Sequence, residues 1–122
     1  MAIERDSPMV LVVEDELLIA MTLEMMLVEK GYRVLGPAST VQEALALLET
    51  RQPDVALLDY RLGGSTTESL LPLMESRQIP VCMLTGYGRD ALPEHYRQYR
   101  VLEKPFSLDE LLKELNRLCG SE

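Results

Sequence analysis

Short apolar runs punctuate the chain at intervals, and longer segments with helical spacing fill the gaps between them. The runs lie at 9–13 (MVLVV), 32–36 (YRVLG), 54–58 (DVALL), 79–84 (IPVCML) and 100–103 (RVLE). Runs this short, without strict alternation, predict strands buried on both faces, as in a parallel sheet covered by helices. Three intervening segments open with capping-box patterns: Thr40 to Glu43, Ser65 to Glu68 and Ser107 to Glu110. In that pattern the hydroxyl and the carboxylate three residues on satisfy free amide groups at a helix start. The last segment then places Leu108, Leu111, Leu112, Leu115 and Leu118 on one stripe. Gly31 and Gly120 are placed to end the first and last helices.

Five strand–helix units with right-handed crossovers predict an α/β fold, a doubly wound (βα)5 flavodoxin-like sheet. One domain over 1–122 is expected, since no linker or low-complexity stretch interrupts the pattern. Two segments break the regularity. Pro72 falls within the third helical segment and is expected to kink it or delay its start. The fourth, GYGRDALPEHYRQYR, holds Gly86, Gly88 and Pro93 with little apolar periodicity, which predicts a short or irregular helix. The first segment, ELLIAMTLEMMLVEKGY, is apolar on more than one face and carries Met21, Met25 and Met26. That composition suits a buried core helix and an adaptable docking surface equally.

Composition narrows the class. The formal net charge of −8 argues against a nucleic-acid surface, which needs an excess of Lys and Arg. No apolar run reaches the roughly 18 residues of a membrane span. The charged start MAIERDSP does not look like a signal peptide. Cys82 and Cys119 have no metal-site spacing, which is the usage expected in a reducing cytoplasm.

Candidate chemistry sits where the apolar runs stop. Glu14, Asp15 and Glu16 follow the first run, Asp59 the third, Thr85 the fourth and Lys104 the fifth. Ligands of open parallel sheets bind beyond the carboxyl ends of the strands, where the strand order reverses. An order of 2-1-3-4-5 would set Asp15 beside Asp59. Glu14, Asp15 and Asp59 bring three negative charges against the one positive charge of Lys104, so a divalent cation would neutralise the set. Oxygen ligands without His or Cys favour Mg2+, with Mn2+ as a substitute. Such an ion leaves room for a phosphoryl oxygen, and Asp59 is the candidate nucleophile. Lys104 and the Thr85 hydroxyl would meet charge on the phosphoryl oxygens, and the Arg61 backbone carbonyl is placed for the metal. Glu16 reads as a helix-start acid and His95 as an exposed residue without a role.

This arrangement resembles the CheY-like receiver domain of two-component response regulators across the whole chain. The resemblance implies that Asp59 accepts phosphate from a histidine kinase or histidine phosphotransfer protein docking on the first helix. It implies further that Thr85 and the surface near strands four and five respond, altering a downstream protein contact or draining phosphate from a shared kinase. The sequence departs from the family at several places. Glu14 stands where many receivers have Asp, and Gly63 where a Pro is common four residues past the acceptor. Val101 stands where a rotating Tyr or Phe is common three residues before the Lys, and Tyr87 and Tyr99 are candidates to replace it. LTGYG followed by a poor fourth helix is similar to the variant group nicknamed FAT GUY receivers. Two other classes carry an acid after a strand: a pseudo-receiver that binds without phosphorylation, and a phosphatase of the haloacid-dehalogenase type. The latter usually has a second Asp where this chain has Arg61.

Overall fold

The computed structural model describes residues 7–86 and 92–119. Strands β1 (Met9–Val13), β3 (Val55–Asp59) and β6 (Val81–Thr85) are buried along their whole length. The edge strands β2 (Arg33–Ala38) and β7 (Arg100–Glu103) complete a parallel sheet of order β2-β1-β3-β6-β7. With the short hairpin β4 (Arg61–Leu62) and β5 (Ser65–Thr66) set aside, this is the predicted 2-1-3-4-5 order. Alternate strand residues feed two apolar layers. Val10, Val12, Leu57, Cys82 and Leu84 face α1 (Leu17–Glu29) and α4 (Leu108–Leu118). Leu11, Val13, Leu58 and Met83 face α2 (Val41–Leu48), α3 (Leu71–Ser76) and a 3-10 turn at Glu94–Gln98.

Helix ends follow local chemistry closely. Ser107 and Glu110 form the full capping box of α4. Thr40 accepts from the Glu43 N–H, while the Glu43 carboxylate turns to the Ser39 N–H instead. At the end of α1 the Tyr32 N–H donates to the Leu27 carbonyl and the Gly31 N–H to that of Val28, with Gly31 at φ +94°. That pair of bonds is a Schellman stop, which needs the left-handed backbone glycine adopts freely. Pro72 lies in the first turn of α3 and delays the helix, where a missing N–H costs no bond.

Three expectations need correction. The Ser65–Glu68 pattern starts no α-helix: Ser65 and Thr66 form β5, paired antiparallel with β4, and a 3-10 turn at Glu68–Leu70 precedes α3. Gly63 and Gly64 are the turn of that hairpin, which gave the segment another use for its hydroxyls. The second strand runs past the predicted Gly36 to Ala38, because Pro37 sits on a sheet edge where its missing N–H breaks no ladder. Gly36 itself, at φ +101°, has no room for a side chain: a Cβ would lie 2.7 Å from the Ala38 nitrogen and 3.0 Å from the Val12 oxygen. Third, Asp59 and Thr85 are the last residues of β3 and β6 rather than the first beyond them. The fourth segment shows only the Glu94–Gln98 3-10 turn among its described residues. Tyr87, Gly88, Gly120 and the His95 side chain lie outside the described residues.

Candidate functional site

Four strand ends converge at one edge of the sheet. Register pairs Val13 with Leu58, Asp59 with Leu84 and Thr85 with Glu103, so Glu14, Asp59, Thr85 and Lys104 fall in one row. The row is tied by main-chain bonds: the Glu14 N–H donates to the Ala38 carbonyl at 2.9 Å and the Lys104 N–H to the Thr85 carbonyl at 2.8 Å.

Lys104 is the hub of the side chains. Its ammonium donates to Glu14 Oε1 at 2.9 Å and to Asp59 Oδ2 at 3.1 Å. Glu14, Asp59 and Thr85 are all buried, whereas Asp15 is exposed. Glu14 also accepts from the Glu16 N–H at 3.1 Å, so the carboxylate holds the start of α1 in place. Glu16 does more than begin a helix: its own carboxylate stands 3.7 Å from the Lys104 ammonium. The run of three acids carried that signal, but dipole compensation explained Glu16 too readily.

Carboxylate oxygens of Glu14, Asp15 and Asp59 all lie within 4.8 Å of one another. One ammonium cannot neutralise three carboxylates at that spacing. Burial first, and then the neighbouring Glu14, push the Asp59 carboxyl up to about 7, although Lys104 draws it down. At Lys104 burial works against the charge, but the bonds and charges of Glu14 and Asp59 outweigh it and hold the ammonium above its ordinary range. The set is therefore short of positive charge. Its donors are hard oxygens, which fit a divalent cation of the Mg2+ class. Arg61 opens β4, two residues beyond Asp59. The hairpin turn after it lies against the cluster, since a Cβ on Gly63 would be 3.7 Å from Asp15 Oδ2.

Beside this edge a groove of about 560 Å³ runs between α1 and the loop after β7. Leu18, Ile19, Thr22, Met26, Lys104 and Phe106 line it. The core-helix reading of α1 holds for one face of it, and another face is apolar and open. Ala20, Leu23 and Leu27 are buried, while Leu17, Leu18, Met21, Met25 and Val28 stay exposed.

Residues 10–116 match the sequence model of the family described as the response regulator receiver domain. The transcriptional regulatory protein PdtaR of Mycobacterium tuberculosis is 36% identical over 107 residues, covering 84% of this chain and 52% of that protein. The phyllosphere-induced regulator PhyR of Methylorubrum extorquens is 34% identical over 101 residues, covering 80% of this chain and 38% of that protein. This chain thus spans about half, or less, of those two relatives. Among solved structures, SdrG from Sphingomonas melonis Fr1 superposes with a TM-score of 0.81 at 37% identity, covering 92% of this chain and 96% of that one.

Proposed function

The chain belongs to the response regulator receiver domain family, and from that premise we propose that it is a phosphorylation-switched signalling module whose acceptor is Asp59. The observation that carries this reading is the row at the sheet edge. A buried aspartate at the end of β3 shares one lysine with a second buried acid, and a threonine ends the adjacent strand. Asp59 attacks the phosphorus of a phosphohistidine, forming the aspartyl–phosphate bond as the phosphorus–nitrogen bond breaks. Attack requires the ionised carboxylate. A divalent cation, Mg2+ or in its place Mn2+, supplies positive charge that favours that form when held by Glu14, Asp15, Asp59 and the Arg61 carbonyl. Lys104 is already within reach of the acceptor and meets one phosphoryl oxygen, while the Thr85 hydroxyl donates to another. Glu14 keeps Lys104 positioned through both states.

The phosphodonor is a histidine kinase or histidine phosphotransfer protein. Its helix would lie in the groove beside α1, where Leu18, Met26 and Phe106 offer apolar contact next to Lys104. Output goes to a downstream protein partner or through drainage of phosphate from a shared kinase, and the site of action is cytoplasmic. No helix among the described residues is long and apolar enough to cross a membrane. Val101 at the usual aromatic position and the 3-10 turn in the fourth segment support the FAT GUY variant group.

Mass spectrometry of the whole chain after incubation with acetyl phosphate and Mg2+ tests the reading. A single phosphoryl adduct is expected, absent in Asp59→Asn and absent with EDTA. No adduct from acetyl phosphate or from a phosphorylated histidine donor would instead favour a pseudo-receiver.

A further inference from the structure

The residue after the acceptor begins a run of tyrosines that leaves the site and ends at the surface. Tyr60 has its backbone pinned on both sides. Its N–H donates to the Leu84 carbonyl at 2.9 Å, and its carbonyl accepts from the Thr67 N–H at 3.1 Å. Its ring meets that of Tyr96 edge-on, with centroids 5.2 Å apart and planes at 87°. Tyr96 is fully buried and meets Tyr99 in the same way, at 6.4 Å and 85°. The Tyr99 hydroxyl then donates a 2.6 Å bond to Glu75 Oε2 on α3. Tyr96 and Leu92 are the buried anchors of the segment before β7, so the setting of the Tyr96 ring decides where the 3-10 turn sits.

We propose that the Tyr60–Tyr96–Tyr99 run, closed by Glu75, is the mechanical link by which the state of Asp59 reaches the surface at the start of β7. It rests on the receiver reading above. Close-packed rings cannot slide independently, so displacing the first obliges the second to move and the third to follow. Loading Asp59 crowds the end of β3 and shifts the Leu84–Thr85 backbone that holds Tyr60. The shift passes to Tyr96, unseats the 3-10 turn and changes the Tyr99–Glu75 contact. Val101 packs against the same cluster but has neither ring nor hydroxyl to carry the signal.

NMR of the full chain, with and without acetyl phosphate and Mg2+, tests this while mass spectrometry reads the adduct in the same samples. The reporters are the Tyr96 and Tyr99 amides, which donate to Pro93 and Tyr96 carbonyls. On loading, their exchange is expected to change about tenfold or more in wild type and in Tyr60→Phe, and by less than about twofold in Tyr60→Leu. All three proteins should form the adduct. A full adduct in wild type with unchanged Tyr96 and Tyr99 amides would overturn the link, as would an undiminished response in Tyr60→Leu. Should Tyr60→Leu fail to fold, Tyr99→Phe decides. It keeps the rings and removes the bond to Glu75, so the Glu75 carboxyl resonance should stop responding, and a retained response refutes the proposal. Absence of any adduct in wild type, from acetyl phosphate and from a phosphorylated histidine donor alike, refutes the receiver reading itself, and the proposal with it.

Discussion

Two ion-pair groups flank the last strand, and they are built on opposite terms. Arg100, at the start of β7, faces Glu114 of α4 through two bonds, 2.7 and 3.1 Å long. This pair lies at the surface, where water reaches the arginine. Lys104, just past the other end of β7, is shared by Glu14 and Asp59, with Glu16 and Asp15 close by. Glu14 and Asp59 are buried there, and the charges are unequal. A pair made only to hold the fold would not be left in deficit, because burying an uncompensated carboxylate costs more than the pair returns. The surface pair serves the fold. On the function proposed above, the buried group gives up stability so that a cation and a phosphoryl group would have a place to bind.

The largest effect should come from removing the hub. Lys104→Met leaves two buried carboxylates without their cation, and metal-free unfolding by urea at pH 7.5 should show a loss of about 3 kcal/mol. Saturating Mg2+ should recover a large part of it, since a divalent ion restores the missing charge. A loss indifferent to Mg2+ would mean that the lysine matters for packing alone.

Next in size is the effect of pH. Asp59 titrates near its ordinary 3.8 when unfolded but is pushed up to about 7 in the fold. Between those values the native state binds more protons than the unfolded state, so stability falls as pH rises through the window. Metal-free wild type should therefore weaken from about pH 4 to about pH 7 relative to Asp59→Asn. At pH 7.5 the Asn variant should be the more stable by roughly 1 kcal/mol, a figure kept low because water still reaches the edge of the Asp59 side chain. Parallel pH profiles for the two proteins would show that the deficit is not centred on Asp59.

Smaller again is the surface pair. Arg100→Ala should cost no more than about 1 kcal/mol, screened further by salt, because the arginine is already half in water. A cost comparable with that of Lys104→Met would erase the distinction between the two groups.

Much of this was readable in the residues. Asp59 stood out because a strand buried on both faces is apolar, and a charge at its end must be there for a reason; Lys104 stood out as the cation that follows the fifth apolar run. Strand order followed from the same row of charges. The Ser65 pattern misled because a capping box and a hairpin with a glycine turn use the same residue types, and only pairing with β4 separates them. Glu14 was legible as one of the acids that Lys104 offsets but not as its direct hydrogen-bond partner, since the two lie 90 residues apart in sequence. Tyr96 was missed for a different reason. Leu92 and Tyr96 are four residues apart and both buried, yet Gly and Pro around them hide any period. Long-range ring contacts leave no local mark.

The smallest effect on stability falls on α1, where its meaning is greatest. Met25 is 68% exposed and Leu18 79%, so folding gains little from either. Replacing both with Lys should change unfolding free energy by less than about 0.5 kcal/mol, as for most surface substitutions. Labelling by acetyl phosphate, which needs no docking, should proceed at the wild-type rate. Transfer from a phosphorylated histidine protein should slow by tenfold or more, as expected when a docking contact worth about 1.4 kcal/mol is lost. Lys104 and the three acids would be untouched in that variant, so the two rates separate chemistry from recognition. If both rates fell together, the apolar face would be supporting the acceptor site; if neither fell, the donor docks elsewhere and α1's exposed methionines have no part in transfer.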